Sequence, residues 1–111
     1  MNAHGSYNRT MLRTVLSLFA SADTARAVQA RGAFGPTELL DQWPKVYVLT
    51  EDDWLTFSLS EQAALRQFDA ELRKLIDQVG PREMNIDQLV RLPAWDRVET
   101  HAQHALATVT A

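Results

Sequence analysis

The chain has 111 residues, of which 46% are hydrophobic and 23% charged, and its formal net charge is −3. This length fits one domain, and the composition is typical of a folded globular protein rather than of a disordered chain. Cysteine is absent, which excludes disulfides, thiolate metal sites and cysteine nucleophiles and is compatible with the reducing cytoplasm, where we expect the protein to reside.

The sequence contains no apolar run that could cross a membrane. The longest run near the N-terminus covers residues 15–20, whereas a spanning helix needs roughly 18 apolar residues. Residues 1–30 carry arginines around an apolar stretch, as secretory signals and organellar presequences do. An ordinary amphipathic first helix explains the same features, so we predict neither a targeting segment nor a membrane partner.

The N-terminal residues 1–7 show no periodicity, which predicts a flexible arm followed by a single helical domain over residues 8–111. Apolar residues then recur at three- and four-residue steps, as they do on one face of a helix. Ser21 or Asp23 suits the N-cap of a second segment, which Gly32 ends. The pattern leaves open whether these segments form one kinked helix or two.

The next stretch combines a short helix with an ambiguous segment. Pro36 suits a first helical position, and Pro44 is expected to end the helix. Residues 45–49, Lys-Val-Tyr-Val-Leu, are rich in β-branched and aromatic side chains and indicate a strand. Residues 50–59 fit either a helix opened by a capping box at Thr50 or the second strand of a hairpin. We prefer the helix, because the segment has no glycine or asparagine for a tight hairpin turn.

The strongest periodicity predicts a helix over residues 61–79, with Ser60 as its N-cap, Leu72 at the centre of its apolar stripe and a glycine–proline pair after its end. Two further helices are expected to begin near Asn85 and at Pro93.

Together these elements predict a mostly α-helical protein, a small irregular bundle of five or six helices. A short strand or hairpin near residues 45–59 remains the alternative within it.

The charged residues are unevenly distributed along the chain. Residues 1–35 carry four arginines and one aspartate, whereas residues 36–64 carry six acidic residues and one lysine. Such polarity can direct self-association or the choice of a partner, so Arg9 and Arg13 are interaction candidates. The basic cluster is small and the overall charge is acidic, so a nucleic-acid partner is not favoured. A small DNA-binding transcriptional regulator is therefore only the alternative function.

Two histidines are the metal-ligand candidates of the chain. His101 and His104 stand three residues apart on the last predicted helix, a spacing at which two imidazoles can reach one ion. Glu99 lies about 160° around that helix from His101, so it does not share their side. We predict no metal site, no cofactor and no catalytic residue, and a small metal-dependent enzyme is the second alternative function.

Trp43, Trp54 and Trp95 stand at the margins of predicted short helices, next to prolines or acidic residues. Tryptophans are frequent in binding hot spots and are also ordinary core anchors of small proteins, so one that is exposed would indicate an interface. The function we predict is a non-catalytic helical protein–protein interaction or regulatory module. Its partner is another protein or a second copy of the chain in a homodimer.

Overall fold

The computed structural model describes residues 3–32, 35–82 and 84–109, with side chains from Arg9 onwards. Within these ranges the chain forms helices and no strand, which confirms the predicted mostly α-helical bundle, with seven helices instead of five or six. The helices are α1 (Ala3–Phe19), α2 (Ala22–Ala30), α3 (Pro36–Val46), α4 (Glu51–Leu55), α5 (Leu59–Val79), α6 (Ile86–Leu89) and α7 (Pro93–Thr108). In the described part of the chain, none of these helices is both long and apolar enough to span a membrane.

The first apolar stripe is divided between two helices. Helix α1 ends at Phe19, and Ser21 then caps α2 by accepting a hydrogen bond from the backbone N–H of Asp23 at 3.2 Å. Gly32 follows α2 with a φ of 72°, a left-handed conformation that favours glycine. Helix α1 begins at Ala3, so most of the segment predicted as a loose arm is helical backbone.

The strand predicted for residues 45–49 is wrong, and so is the end of the helix at Pro44. Helix α3 continues through Pro44 to Val46, and the backbone N–H of Tyr47 still donates to the Trp43 carbonyl at 2.8 Å. The reason is packing: the Tyr47 ring stacks on the buried Trp43 ring one helical turn away, with 4.9 Å between their centroids. This contact between residues four apart, together with the packing of Phe68 from α5 on Trp43, outweighs β-propensity, which is strongly context-dependent.

Helices α4, α5 and α6 each begin with a capping box, in which the N-cap side chain and the side chain three residues later each accept a backbone N–H from the other residue. The three N-cap residues are Thr50, Ser58 and Asn85. The first box confirms the helical interpretation of the segment after residue 49. Ser60 was the wrong cap for the long helix, because the reciprocal bond requires Glu61 to stand three residues after the N-cap, as it does from Ser58.

The core is built on aromatic rings contributed by four helices. Phe19 of α1 packs edge-on against Phe68 of α5, with 5.6 Å between centroids. Trp95 of α7 lies 6.1 Å from Phe19, and Trp43 of α3 lies 4.7 Å from Phe68. Helix α7 also packs along both α5 and α1. The four rings are almost completely buried, so they determine how these helices are arranged.

Leu72 lies in the buried stripe of α5, as predicted. We expect Leu72→Ala to lower the free energy of unfolding by roughly 2 to 5 kcal/mol, because the substitution removes buried apolar surface and leaves a cavity. Gln67→Ala, on the exposed face of the same helix, is the control and should change it by less than about 0.5 kcal/mol. Urea unfolding followed by circular dichroism measures both, and equal losses would contradict the packing of α5.

Candidate interaction surface

In the described chain, the large apolar side chains that are exposed all fall within residues 48–59, around the short helix α4. Val48, Leu55 and Leu59 are 73%, 81% and 83% exposed, and together they are named the α4 patch. Glu51 and Asp52 lie one helical turn before Leu55 and are also exposed. One face of α4 therefore presents both acidic and apolar side chains to solvent. A concentration of exposed apolar side chains is typical of a binding surface, whereas isolated ones are ordinary.

Helix α4 has only five residues and is too short to be stable without tertiary contacts. The Asp53 carboxylate, which is buried, accepts the Thr50 backbone N–H at 3.0 Å, and the Thr50 hydroxyl accepts the Asp53 backbone N–H at 3.1 Å. From α5, the Gln62 side-chain amide donates to the backbone carbonyls of Trp54 and Phe57, each at 3.1 Å. The α4 patch is therefore carried on a backbone that its surroundings hold in place.

Every aromatic side chain that the structure describes belongs to one continuous run of ring contacts. The run begins in the core cluster and passes from Trp43 to Tyr47, then to Trp54 and finally to Phe57. The last two centroid distances are 5.9 Å and 6.2 Å, both with edge-on geometry. Such ring pairs contribute about 0.5 to 1.5 kcal/mol each beyond the area they bury. The run connects the hydrophobic core directly to α4.

The region around α4, residues 48–61, is named the corner, and Arg9 of α1 contacts it. Its guanidinium pairs with the Glu61 carboxylate at N–O distances of 2.6 Å and 3.1 Å, and it donates a further hydrogen bond to the Thr56 carbonyl. The guanidinium carbon also lies 4.5 Å from the centroid of the Phe57 ring. The Arg9 and Glu61 side chains are both largely buried. This interaction candidate therefore contacts the chain itself in the structure.

Two more arginines of the basic N-terminal third are engaged within the chain. Arg13 donates to the Leu106 carbonyl at 2.7 Å and to the Val109 carbonyl. Carbonyls at the end of a helix lack intrahelical donors, so a cation is stabilising there. Arg26 pairs with Asp87, at the start of α6, with an N–O distance of 2.9 Å. Three of the four arginines of residues 1–35 are thus bonded within the chain.

The three tryptophans occupy different environments. Trp43 and Trp95 are 1% exposed and belong to the core. The Trp43 indole N–H donates to Asp69 Oδ1 at 3.1 Å, whereas the Trp95 indole N–H has no acceptor among the described residues. Trp54 is partly exposed beside the α4 patch, and the Arg66 guanidinium carbon lies 4.8 Å from its ring centroid. Trp54 is therefore the tryptophan that a partner could reach.

The two candidate metal ligands, His101 and His104, do not belong to a larger group of metal-ligating side chains among the described residues. His104 is exposed and His101 partly buried, and the described ranges contain no group of three or more histidine, aspartate or glutamate side chains placed to hold a metal ion. Glu99 has a structural role that its position relative to the histidines could not show. Its carboxylate accepts the backbone N–H of Ala22 at 2.8 Å. It thereby satisfies an N–H at the start of α2 that has no partner within the helix.

A groove lies between α3 and α5. It contains two hollows of about 360 Å³ and 250 Å³, and Ile76 lines both of them. Trp43 and Tyr47 line the smaller hollow together with Asp69 and Arg73, which form an ion pair at 2.9 Å. No pattern in the sequence indicates this groove, because it depends on how two helices are positioned relative to each other.

Comparison with models of protein families, with curated proteins and with solved structures gave no match to this chain. Its function is therefore inferred from its own surface. The α4 patch contains the large apolar side chains that the fold leaves exposed among the described residues.

Burial raises the pKa of the Tyr47 phenol above its ordinary value of 10.0; the Asp69 carboxylate adds to this increase, and Arg66 and Arg73 oppose it. We expect an absorbance titration to show one phenol that ionises late, and Tyr47→Phe should remove that transition. Tyr7→Phe is the matched control, since the chain has two tyrosines, and should leave it. Because the folded-state pKa is raised, stability should fall as the pH rises above about 10, and a late transition that survives Tyr47→Phe would contradict the assignment.

Arg9→Met should lower the free energy of unfolding by roughly 2 to 4 kcal/mol, because the buried Glu61 carboxylate loses this cation. Arg66→Met, which removes the exposed arginine over Trp54, should lower it by less than about 1 kcal/mol. Adding Glu61→Gln to the Arg9→Met variant should recover part of the loss, because the two residues are coupled. Urea unfolding of these proteins and of Glu61→Gln alone checks this, and losses that simply add in the double variant would contradict the pairing.

Proposed function

We propose that this chain is a non-catalytic helical module that binds another protein through the α4 patch. The observation that supports this most directly is the position of the exposed large apolar side chains. All those that the structure describes, Val48, Leu55 and Leu59, fall within residues 48–59. Their exposure to water is unfavourable by roughly 25 cal/mol for each Å² of apolar surface, and a bound partner would relieve it.

The rigidity of the corner supports the same proposal. Capping boxes, the aromatic run and the Arg9 side chain hold the backbone around α4 before any partner arrives. A surface that is already ordered loses less conformational entropy on binding, and this increases affinity. Trp54 is partly exposed beside the patch and is of the residue type most enriched at binding hot spots.

The size of the patch indicates the kind of interface. Its three side chains offer roughly 200 to 350 Å² of apolar surface in total, whereas a standard interface buries about 800 Å² on each partner. A partner must therefore also contact the polar groups around the patch, and such an interface suits reversible, regulatory binding. We place this function in the cytoplasm, which fits a chain without cysteine.

A photoreactive amino acid at position 55 tests the proposal in cells that produce the protein naturally. It should crosslink one discrete protein, because Leu55 faces solvent within the patch. The same photoreactive group at Gln29, exposed on α2, is the control and should give no such product. Leu59→Glu should remove the product formed from position 55 while changing the free energy of unfolding by less than about 0.5 kcal/mol.

Two results would count against the proposal. The first is equal crosslinking from positions 29 and 55, which would mean that other proteins contact the patch no more than they contact the surface of α2. The second is a product that persists unchanged in Leu59→Glu. Sedimentation of the purified protein then shows whether it associates with itself, and a dimer that survives 1 M salt indicates an apolar contact between copies.

A further inference from the structure

We propose that the α4 patch binds an apolar and positively charged segment of a different protein rather than a second copy of this chain, an inference that rests on the proposed function. The acidic residues next to the patch give the first reason. Glu51 and Asp52 are exposed, and neither forms an ion pair with another residue in the described ranges. They favour the start of α4 through the helix dipole, and their charge remains available to a partner.

The basic groups that the structure shows around α4 are already engaged within the chain. The Arg9 guanidinium is largely buried and pairs with Glu61. The Arg66 guanidinium lies over the Trp54 ring.

The basic N-terminal third of a second copy offers little free charge to the patch. Arg9, Arg13 and Arg26, three of its four arginines, are bonded within the chain. A two-fold dimer whose axis passes through the patch would bring Glu51 and Asp52 of one copy close to the same residues of the other. Like charges brought together at an interface are unfavourable and select against that partner.

The two kinds of group on this surface have separate roles in the proposed complex. Exposed ion pairs contribute only about 0 to 1 kcal/mol each, so lysines and arginines of the partner determine which segment binds. Apolar side chains that cover Leu55 and Leu59 provide most of the affinity. A purely basic segment and a purely apolar one are therefore both poorer ligands than a segment that carries both.

Two synthetic peptides of 18 residues test this inference. They share one amphipathic leucine spacing, and their polar positions are all lysine in one and all glutamate in the other. Trp54 emission reports binding, because the other two tryptophans are buried, and Trp54→Phe identifies its contribution. We expect the lysine peptide to bind at least tenfold more tightly at 0.1 M salt, and the difference to shrink at 1 M, where the screening length falls from about 10 Å to about 3 Å.

Matched variants assign the binding to this surface. Leu55→Ser with Leu59→Ser should weaken the lysine peptide at least tenfold. Glu51→Gln with Asp52→Asn should reduce the preference between the peptides while retaining most of the apolar contribution. Asp77→Asn removes an exposed carboxylate elsewhere on α5 and should change neither affinity.

The other outcomes would overturn the inference. Equal affinity for both peptides at low salt, or no binding of either, would reject a basic segment as the ligand. Binding that is insensitive to the leucine substitutions would place it on another surface. A dimer in sedimentation that Leu59→Glu dissociates would identify a second copy as the occupant. Each of these results leaves the crosslinking experiment at position 55 to decide the proposed function separately.

Discussion

The contact between the rings of Phe19 and Phe68 is the constraint on which the rest of the molecule depends. It joins α1 to α5, and Trp95 and Trp43 then pack on either side of it from α7 and α3. Large rigid rings fill a closely packed interior in few arrangements, so this cluster limits how the four helices can cross. Through Tyr47 the ring contacts continue to α4, and the exposed corner takes its position from the core.

Features of the fold with a local cause could be predicted from the sequence. Ser21, Asn85 and Pro93 start helices where their own side chains or ring geometry favour it, and Gly32 ends one where its φ requires glycine. The segment at residues 45–49 could not be predicted in this way. Its β-branched side chains favour a strand locally, but Tyr47 stacks on Trp43, whose ring packs against Phe68 of α5, and α3 extends into the segment.

The candidate surface could not be predicted from the spacing of apolar residues in the sequence. In a helix of five residues the apolar pattern is too short to show which side the fold covers, so the exposure of Leu55 could not be predicted. Trp54 was named from its sequence neighbours, without any means of distinguishing it from the two buried tryptophans. The pairing of Arg9 with Glu61 joins residues 52 positions apart, and only the packing of α1 against the corner brings them together.

Polar side chains complete the ends of helices to which they do not belong. Glu99 of α7 accepts an N–H at the start of α2, and Gln103 donates its side-chain amide to the Ala20 carbonyl at 2.8 Å, just after α1. In return, Arg13 of α1 donates hydrogen bonds to the Leu106 and Val109 carbonyls at the end of α7. Backbone groups at helix ends need partners, and in this bundle neighbouring helices supply them. Helices α1 and α7 are therefore coupled by polar contacts as well as by apolar packing.

This exchange has a consequence for the way the protein is made. The carbonyls that Arg13 binds lie 93 and 96 residues further along the chain. At a synthesis rate of about 5 to 20 residues per second, roughly 5 to 20 seconds pass between the translation of Arg13 and that of its acceptors. Throughout this interval the apolar stripe of α1 is present on the ribosome without α7, one of the helices that pack on it. Nascent-chain chaperones therefore have their longest opportunity to bind at this first helix, and the bundle closes only after the last helix has emerged.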